Sequence, residues 1–134
     1  MLESVSTIFA LSSGRDKAGI AVVRVSGPNA GAALKALTGV LPEPRFAALV
    51  PVHGPSGDLI DRGLVLWFPA PASATGEDVA EVQVHGGPAI VSALLSSLGA
   101  QPGLRPAEPG EFSRRAFHNG KLDLTQIEAL ADAI

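Results

Sequence analysis

The sequence predicts an α+β fold, a two-layer mixed sheet with helices on one face. Two observations carry this. Apolar strand, Gly/Pro turn and helix follow one another twice along the chain, and between those units two further strands flank a short polar loop. Strands joined both by helices and by a hairpin are the mark of a mixed sheet. Taken in order, Thr7–Leu11 reads as a short strand, and 19–26 as a buried strand rich in β-branched residues. Gly27-Pro28 follows, with Pro at the first position of a helix that runs through Leu34 and Leu37 to a cap at Gly39. Phe46–His53 and Leu59–Phe68 flank Gly54–Asp58 as a hairpin. Residues 69–76 hold two prolines and a glycine and form a loop. Val79–His85 is the next strand, Gly86-Gly87 the turn, and Pro88 opens a helix closed by Gly99. Ile90, Val91, Leu94, Leu95 and Leu98 share one face of that helix and belong to the core. Pro102–Gly110 is a second loop, and a helix around Phe112–Phe117 is capped by Asn119-Gly120. Thr125-Gln-Ile-Glu128 fits a capping box at the head of a final helix. No Gly, Asn or Pro stops that helix before Ile134, so the chain reads as the first domain of a larger protein, ending inside a helix.

Composition sets bounds on function. At 134 residues the chain has the size of one domain. Its 46% apolar and 17% charged content is that of a globular protein. A net charge of -3 argues against a domain whose main work is gripping nucleic-acid phosphates. The absence of cysteine excludes disulfides, thiolate metal sites and a thiol nucleophile. The N-terminus lacks the basic and apolar regions of a signal peptide, and no apolar run approaches the roughly 20 residues of a membrane span. A soluble cytoplasmic protein with no membrane partner is the expectation.

Most enzyme motifs fail. Gly120-Lys121 is followed by Leu122, and Arg115 stands where a phosphate-binding loop needs its first glycine. There is no Gly-x-Ser-x-Gly elbow, and His53, His85 and His118 lack metal-ligand spacing. No catalytic residue and no metal ligand are expected in this segment.

Three charged positions remain. Alternation along 79–85 puts Glu81, Gln83 and His85 on one strand face and Ala80, Val82 and Val84 on the other. Glu81 is then either a solvated strand residue or a carboxylate that accepts two parallel N–H bonds from a planar, amidine-like ring edge. Arg24 interrupts an apolar strand. Either it ends an edge strand and snorkels to water, or it points into a cleft and pairs with an anion. Lys121, beside the Asn119-Gly120 cap, reads by itself as an exposed loop lysine. Arg105, Arg114 and Arg115 read as a solvated helix face or a tRNA-phosphate patch. The turn after His85 presents helix N-terminal amides to which an anionic or polar ligand could dock.

Together the segments resemble one family. Thr7-Ile-Phe-Ala-Leu, 19–27, Ser73-Ala-Thr-Gly-Glu-Asp78 and His85-Gly-Gly87 occur in order, followed by the long stretch from Pro109-Gly-Glu-Phe to Lys121-Leu-Asp-Leu124. Over nearly the whole chain this resembles the N-terminal domain of the tRNA-modification GTPases called MnmE or TrmE. The resemblance implies a fold like the folate-binding fold of aminomethyltransferases, binding of 5-formyl-tetrahydrofolate, and homodimerisation. It implies that 1–120 form the folate-binding and dimerisation domain and that 121–134 begin a helical domain. GTP, Mg and K are bound outside this segment in the family, within a GTPase domain absent here. The family's partners are the flavin-containing MnmG and tRNA, whose wobble uridine is modified at C5. Carried over position by position, the folate contacts fall on Arg24, Glu81 and Lys121. Two positions depart from the family: Ala74, where an aromatic is usual, and His118, where a leucine is usual. The rival readings are a free-standing aminomethyltransferase-like one-carbon enzyme and a purely structural dimerisation module.

Overall fold

The computed structural model describes residues 6–12 and 19–121. Within them a six-stranded sheet and three helices form an α+β fold. The strands are β1 (Thr7–Leu11), β2 (Ile20–Ser26), β3 (Ala48–His53), β4 (Leu59–Phe68), β5 (Val79–His85) and β6 (Leu104–Pro106), in the order β3-β4-β5-β2-β1-β6. The helices are α1 (Ala30–Thr38), α2 (Pro88–Gly99) and α3 (Glu111–His118). Only β1 and β6 pair in parallel; the other neighbours are antiparallel, so the sheet is mixed. The C-terminal capping box and the helix expected after it lie outside the described residues.

The core follows from period-two alternation. Val23 and Val25 of β2, Val82 and Val84 of β5, and Val65 and Trp67 of β4 meet Leu34 and Leu37 of α1 and Leu94 and Leu98 of α2. Both helices therefore cover one face of the sheet. Ile90, Val91 and Leu95, expected in the core, are only partly buried at its margin. The opposite face carries Arg24, Glu81, Gln83, Leu64 and Leu49, and α3 is tied to the edge of that side through loop 69–78.

Several boundaries differ from the sequence expectation, each for a local reason. Pro28 does not open α1; it lies in a turn closed by the Ala30 amide on the Gly27 carbonyl (3.1 Å). The fixed φ of proline suits the second position of such a turn equally well. Gly39 is the left-handed cap of α1 (φ 81). Pro88 does open α2, but Gly99 is its last helical residue, and the chain turns instead at Gly103 (φ 78). The reversal there feeds β6, a three-residue strand inside what reads as loop, held by β1. So short a strand has no periodicity of its own to display.

Candidate functional site

The site is built on the two central strands. β2 lies between β5 and β1, so Arg24 is not on an edge strand. It stands directly opposite Glu81 in the antiparallel register. Its Nη2 donates to Glu81 Oε2 at 3.0 Å, with side chains 31% and 18% exposed. The anion Arg24 pairs with is thus its own cross-strand neighbour, and Glu81 is not the solvated strand residue that alternation allows. One polar atom is left over: Arg24 Nε is buried with no hydrogen-bond partner among the described residues. An unpartnered buried donor is rare and asks for an acceptor.

Lys121 reaches the same place by a route of local geometry. α3 ends in a Schellman motif. The Gly120 amide donates to the Phe117 carbonyl (3.0 Å) and the Lys121 amide to the Ala116 carbonyl (2.7 Å), with Gly120 left-handed at φ 75. This turns the chain back toward the sheet. Asn119 fixes the turn, its Nδ2 donating to the carbonyls of Thr75 (2.8 Å) and Arg115 (2.9 Å). Gly76 makes room for it: a Cβ there would lie 2.7 Å from Asn119 Cβ, and Gly76 is itself at φ 83. Gly76→Ala therefore faces both a clash and an unfavourable backbone, and is expected to lower stability by about 1–3 kcal/mol in urea denaturation. Thr-Gly-Glu and Asn-Gly-Lys, far apart in sequence, are two halves of one junction.

The outcome is a cavity of about 440 Å³. Arg24, Glu81 and Lys121 all line it; Phe68 and Val79 supply apolar wall, and Ser73 and Ala74 come from loop 69–78. Ala74 therefore sits at the cavity itself. His118 does not line it, nor does the turn after His85. At the end of β5, just before that turn, Asp61 accepts from the His85 amide (2.9 Å), lies 2.9 Å from His85 Nδ1, and has its carboxyl held below the usual range chiefly by that backbone hydrogen bond; in the turn itself the Gly86 amide donates to the Gly19 carbonyl (3.1 Å).

Behind the cavity lies a charge network that sequence reasoning missed. Arg115 donates to Glu77 Oε1 (3.1 Å) and to Glu111 Oε2 (3.2 Å), and is only 12% exposed. Glu77 accepts from Ser26 Oγ (2.8 Å), which also meets the buried Thr75 Oγ1 (2.7 Å). Glu111 takes two hydrogen bonds from Arg105 and one from the Glu108 amide. Those bonds, Arg105 first, overcome burial and hold the Glu111 carboxyl down at about 2. The same pairing raises the Arg105 guanidinium. Arg105 and Arg115 are thus paired cations that tie α3 to the sheet and not a free phosphate patch, while Arg114, half exposed and 3.6 Å from Glu108, lies on the solvated face of α3 as expected. The only hint in the sequence was the i, i+4 spacing of Glu111 and Arg115. Arg45 was missed as well; it lines the cavity from the approach to β3. Among the described residues no cluster of His, Cys, Asp or Glu is suited to a metal, and no helix is long and apolar enough to cross a membrane.

Known proteins match this chain closely. The family described as "GTP-binding protein TrmE N-terminus" matches residues 7–121. The tRNA modification GTPase MnmE of Rhodopseudomonas palustris (strain BisB5) is 60% identical over 134 residues, covering 100% of this chain and 29% of that protein. The mitochondrial 5-taurinomethyluridine-[tRNA] synthase subunit GTPB3 of Danio rerio is 61% identical over 129 residues, covering 96% of this chain and 26% of its own length. Its human counterpart is 60% identical over 134 residues, with 98% and 27% covered. The chain spans less than a third of the length of these relatives. The residues that line the cavity, from Arg24 to Lys121, fall within the matched span, and the chain belongs to the TrmE N-terminal family.

Proposed function

We propose that the cavity binds a reduced folate, 5-formyl-tetrahydrofolate, and that the chain is the folate-binding and homodimerisation domain of a tRNA-modification GTPase. The observation that carries the reading is convergence: Arg24, Glu81 and Lys121, the positions matching the family's folate contacts, come from three separate elements and line one cavity. The donor set suits the ligand. A carboxylate accepts the paired N–H groups of a pterin edge, and cationic side chains answer the ligand's carbonyl and carboxylate oxygens. Arg24 Nε supplies a buried donor still lacking an acceptor. At about 440 Å³ the cavity is within the usual range of roughly 300–1,000 Å³ for small-molecule sites.

In this reading the residues bind and orient, and none performs catalysis. Glu81 reads the pterin, Arg24 holds the Glu81 carboxylate in place, and Lys121 engages a polar or anionic part of the ligand. The bound folate supplies the one-carbon unit for modification at C5 of the wobble uridine. The names of the relatives support the tRNA-modification setting, in which GTP, Mg and K belong to the remainder of the protein, MnmG and tRNA are partners, and the cytoplasm is the compartment. Calorimetric titration of the full chain with 5-formyl-tetrahydrofolate is expected to give one saturable site per protomer. The absence of any binding heat at several temperatures would contradict the reading.

Homodimerisation has support on the same sheet face. Leu49, Leu64 and Gln83 stand in register across β3, β4 and β5, with Leu49 58% and Leu64 38% exposed. Ile20 on β2 adds a further exposed apolar side chain. Contiguous exposed apolar surface of this kind marks interaction sites. Leu64→Glu is expected to convert dimer to monomer in sedimentation velocity; an unshifted dimer would remove this face from the interface.

A further inference from the structure

Arg45 sits in a backbone conformation that its side chain does not favour. At φ 72 it is the one non-glycine residue with positive φ among the described residues. A glycine would occupy that position with less strain. The φ comes from a local turn, in which Pro44 and Arg45 are the central residues and the Phe46 amide donates to the Glu43 carbonyl (3.2 Å); what bears on function is where that turn sends the side chain. Here the surroundings aim the guanidinium. The Arg45 amide donates to the Trp67 carbonyl (2.9 Å), Nη2 donates to the Ala72 carbonyl (2.7 Å), and the guanidinium carbon lies 5.7 Å from the centre of the Phe68 ring. Held at both ends, Arg45 lines the cavity, and the rest of its fork of donors has no protein partner among the described residues.

Charge points the same way. Arg24, Arg105, Arg114 and Arg115 each pair with a glutamate, whereas Arg45 has no acidic partner among the described residues. The cavity gathers three cations, Arg24, Arg45 and Lys121, against the single carboxylate of Glu81. In a chain of net charge -3 that surplus is local and lies at one opening. We propose that Arg45 is a further ligand-contacting residue, which grips a carboxylate of the glutamate tail of the folate and so separates tailed folates from bare pterins. This rests on the folate reading above. A planar guanidinium meets a carboxylate with two parallel hydrogen bonds, a geometry lysine does not provide.

The test uses the full chain, wild type and Arg45→Gly, titrated with 5-formyl-tetrahydrofolate and with a 6-methyl-5-formyl-tetrahydropterin that lacks the aminobenzoyl-glutamate. Arg45→Gly is expected to bind the folate at least about tenfold more weakly, the loss of one charge-assisted contact. It is expected to bind the bare pterin as the wild type does and to stay folded, since glycine suits φ 72 and the Ala72 and Phe68 contacts it loses are those of an exposed side chain. If the bare pterin binds too weakly to titrate, ionic strength decides: added salt weakens folate binding less in the variant than in the wild type. Wild-type folate affinity in Arg45→Gly overturns the proposal and leaves the folate reading standing. Equal weakening of both ligands, or an unchanged salt response, also overturns it. A wild type that binds no folate at all removes both.

Discussion

Glu81→Gln is expected to weaken binding of 5-formyl-tetrahydrofolate by about 10- to 100-fold while leaving the domain folded. A hydrogen bond to a charged group contributes about 1.5–3 kcal/mol, and each 1.4 kcal/mol is a factor of ten in affinity. The Glu81 carboxylate holds Arg24 with Oε2, and Oε1 has no contact of this kind with Arg24. Glutamine keeps the shape but replaces one acceptor by an NH2 donor. That donor must face either the Arg24 guanidinium or the N–H edge of the pterin, and both are donors themselves. The fold tolerates the change because the Arg24–Glu81 pair is part-exposed, and such pairs contribute no more than about 1 kcal/mol. Calorimetry reads the affinity and thermal unfolding the fold. Unchanged affinity would remove Glu81 from pterin recognition.

The second large effect concerns stability. Glu111→Ala is expected to destabilise the domain by about 2 kcal/mol, because it leaves the Glu108 amide without its acceptor, removes the acidic partner of Arg105 and strips the part-buried Arg115 of one of its two glutamates. The pH dependence has a definite sign. The Glu111 carboxyl is held at about 2 in the fold against an ordinary value of 4.5. The folded state therefore favours the ionised form, and the stabilisation is complete above about 4.5. It is lost as the pH falls from there toward about 2. Urea denaturation across that range is expected to show the wild type losing stability steeply and the variant losing less. Parallel pH profiles would show that Glu111 contributes nothing specific. Since the same network anchors α3, and the capping turn at the end of α3 places Lys121, the variant is expected to bind folate more weakly as well.

How much was legible in the sequence depended on the range of the physics involved. Alternation along 79–85 is local, and it correctly set Glu81 apart from Val82 and Val84. The Asn119-Gly120 cap is local too, and the structure has it where the sequence placed it. Arg24 was readable as anomalous but not as central. Its neighbours are set by the order β5-β2-β1, and strand order is a property of the whole sheet. Likewise Arg115 meets Glu77 across 38 positions, which no spacing rule describes. The φ of Arg45 is local, set by a turn over Pro44-Arg45 that the Phe46 amide closes on the Glu43 carbonyl (3.2 Å), but the reach of its guanidinium to Ala72 and Phe68 depends on elements remote in sequence and gave no signal. The motif resemblance recovered Arg24, Glu81 and Lys121 as a set; it said nothing about why they meet.

A crystal structure of the full chain with 5-formyl-tetrahydrofolate decides whether the three side chains meet on one ligand. The pterin edge is expected on the Glu81 carboxylate, Arg24 behind it with Nε satisfied, and Lys121 against a polar or anionic part of the ligand. A folate bound on any other surface, with this cavity left to solvent, would contradict this arrangement.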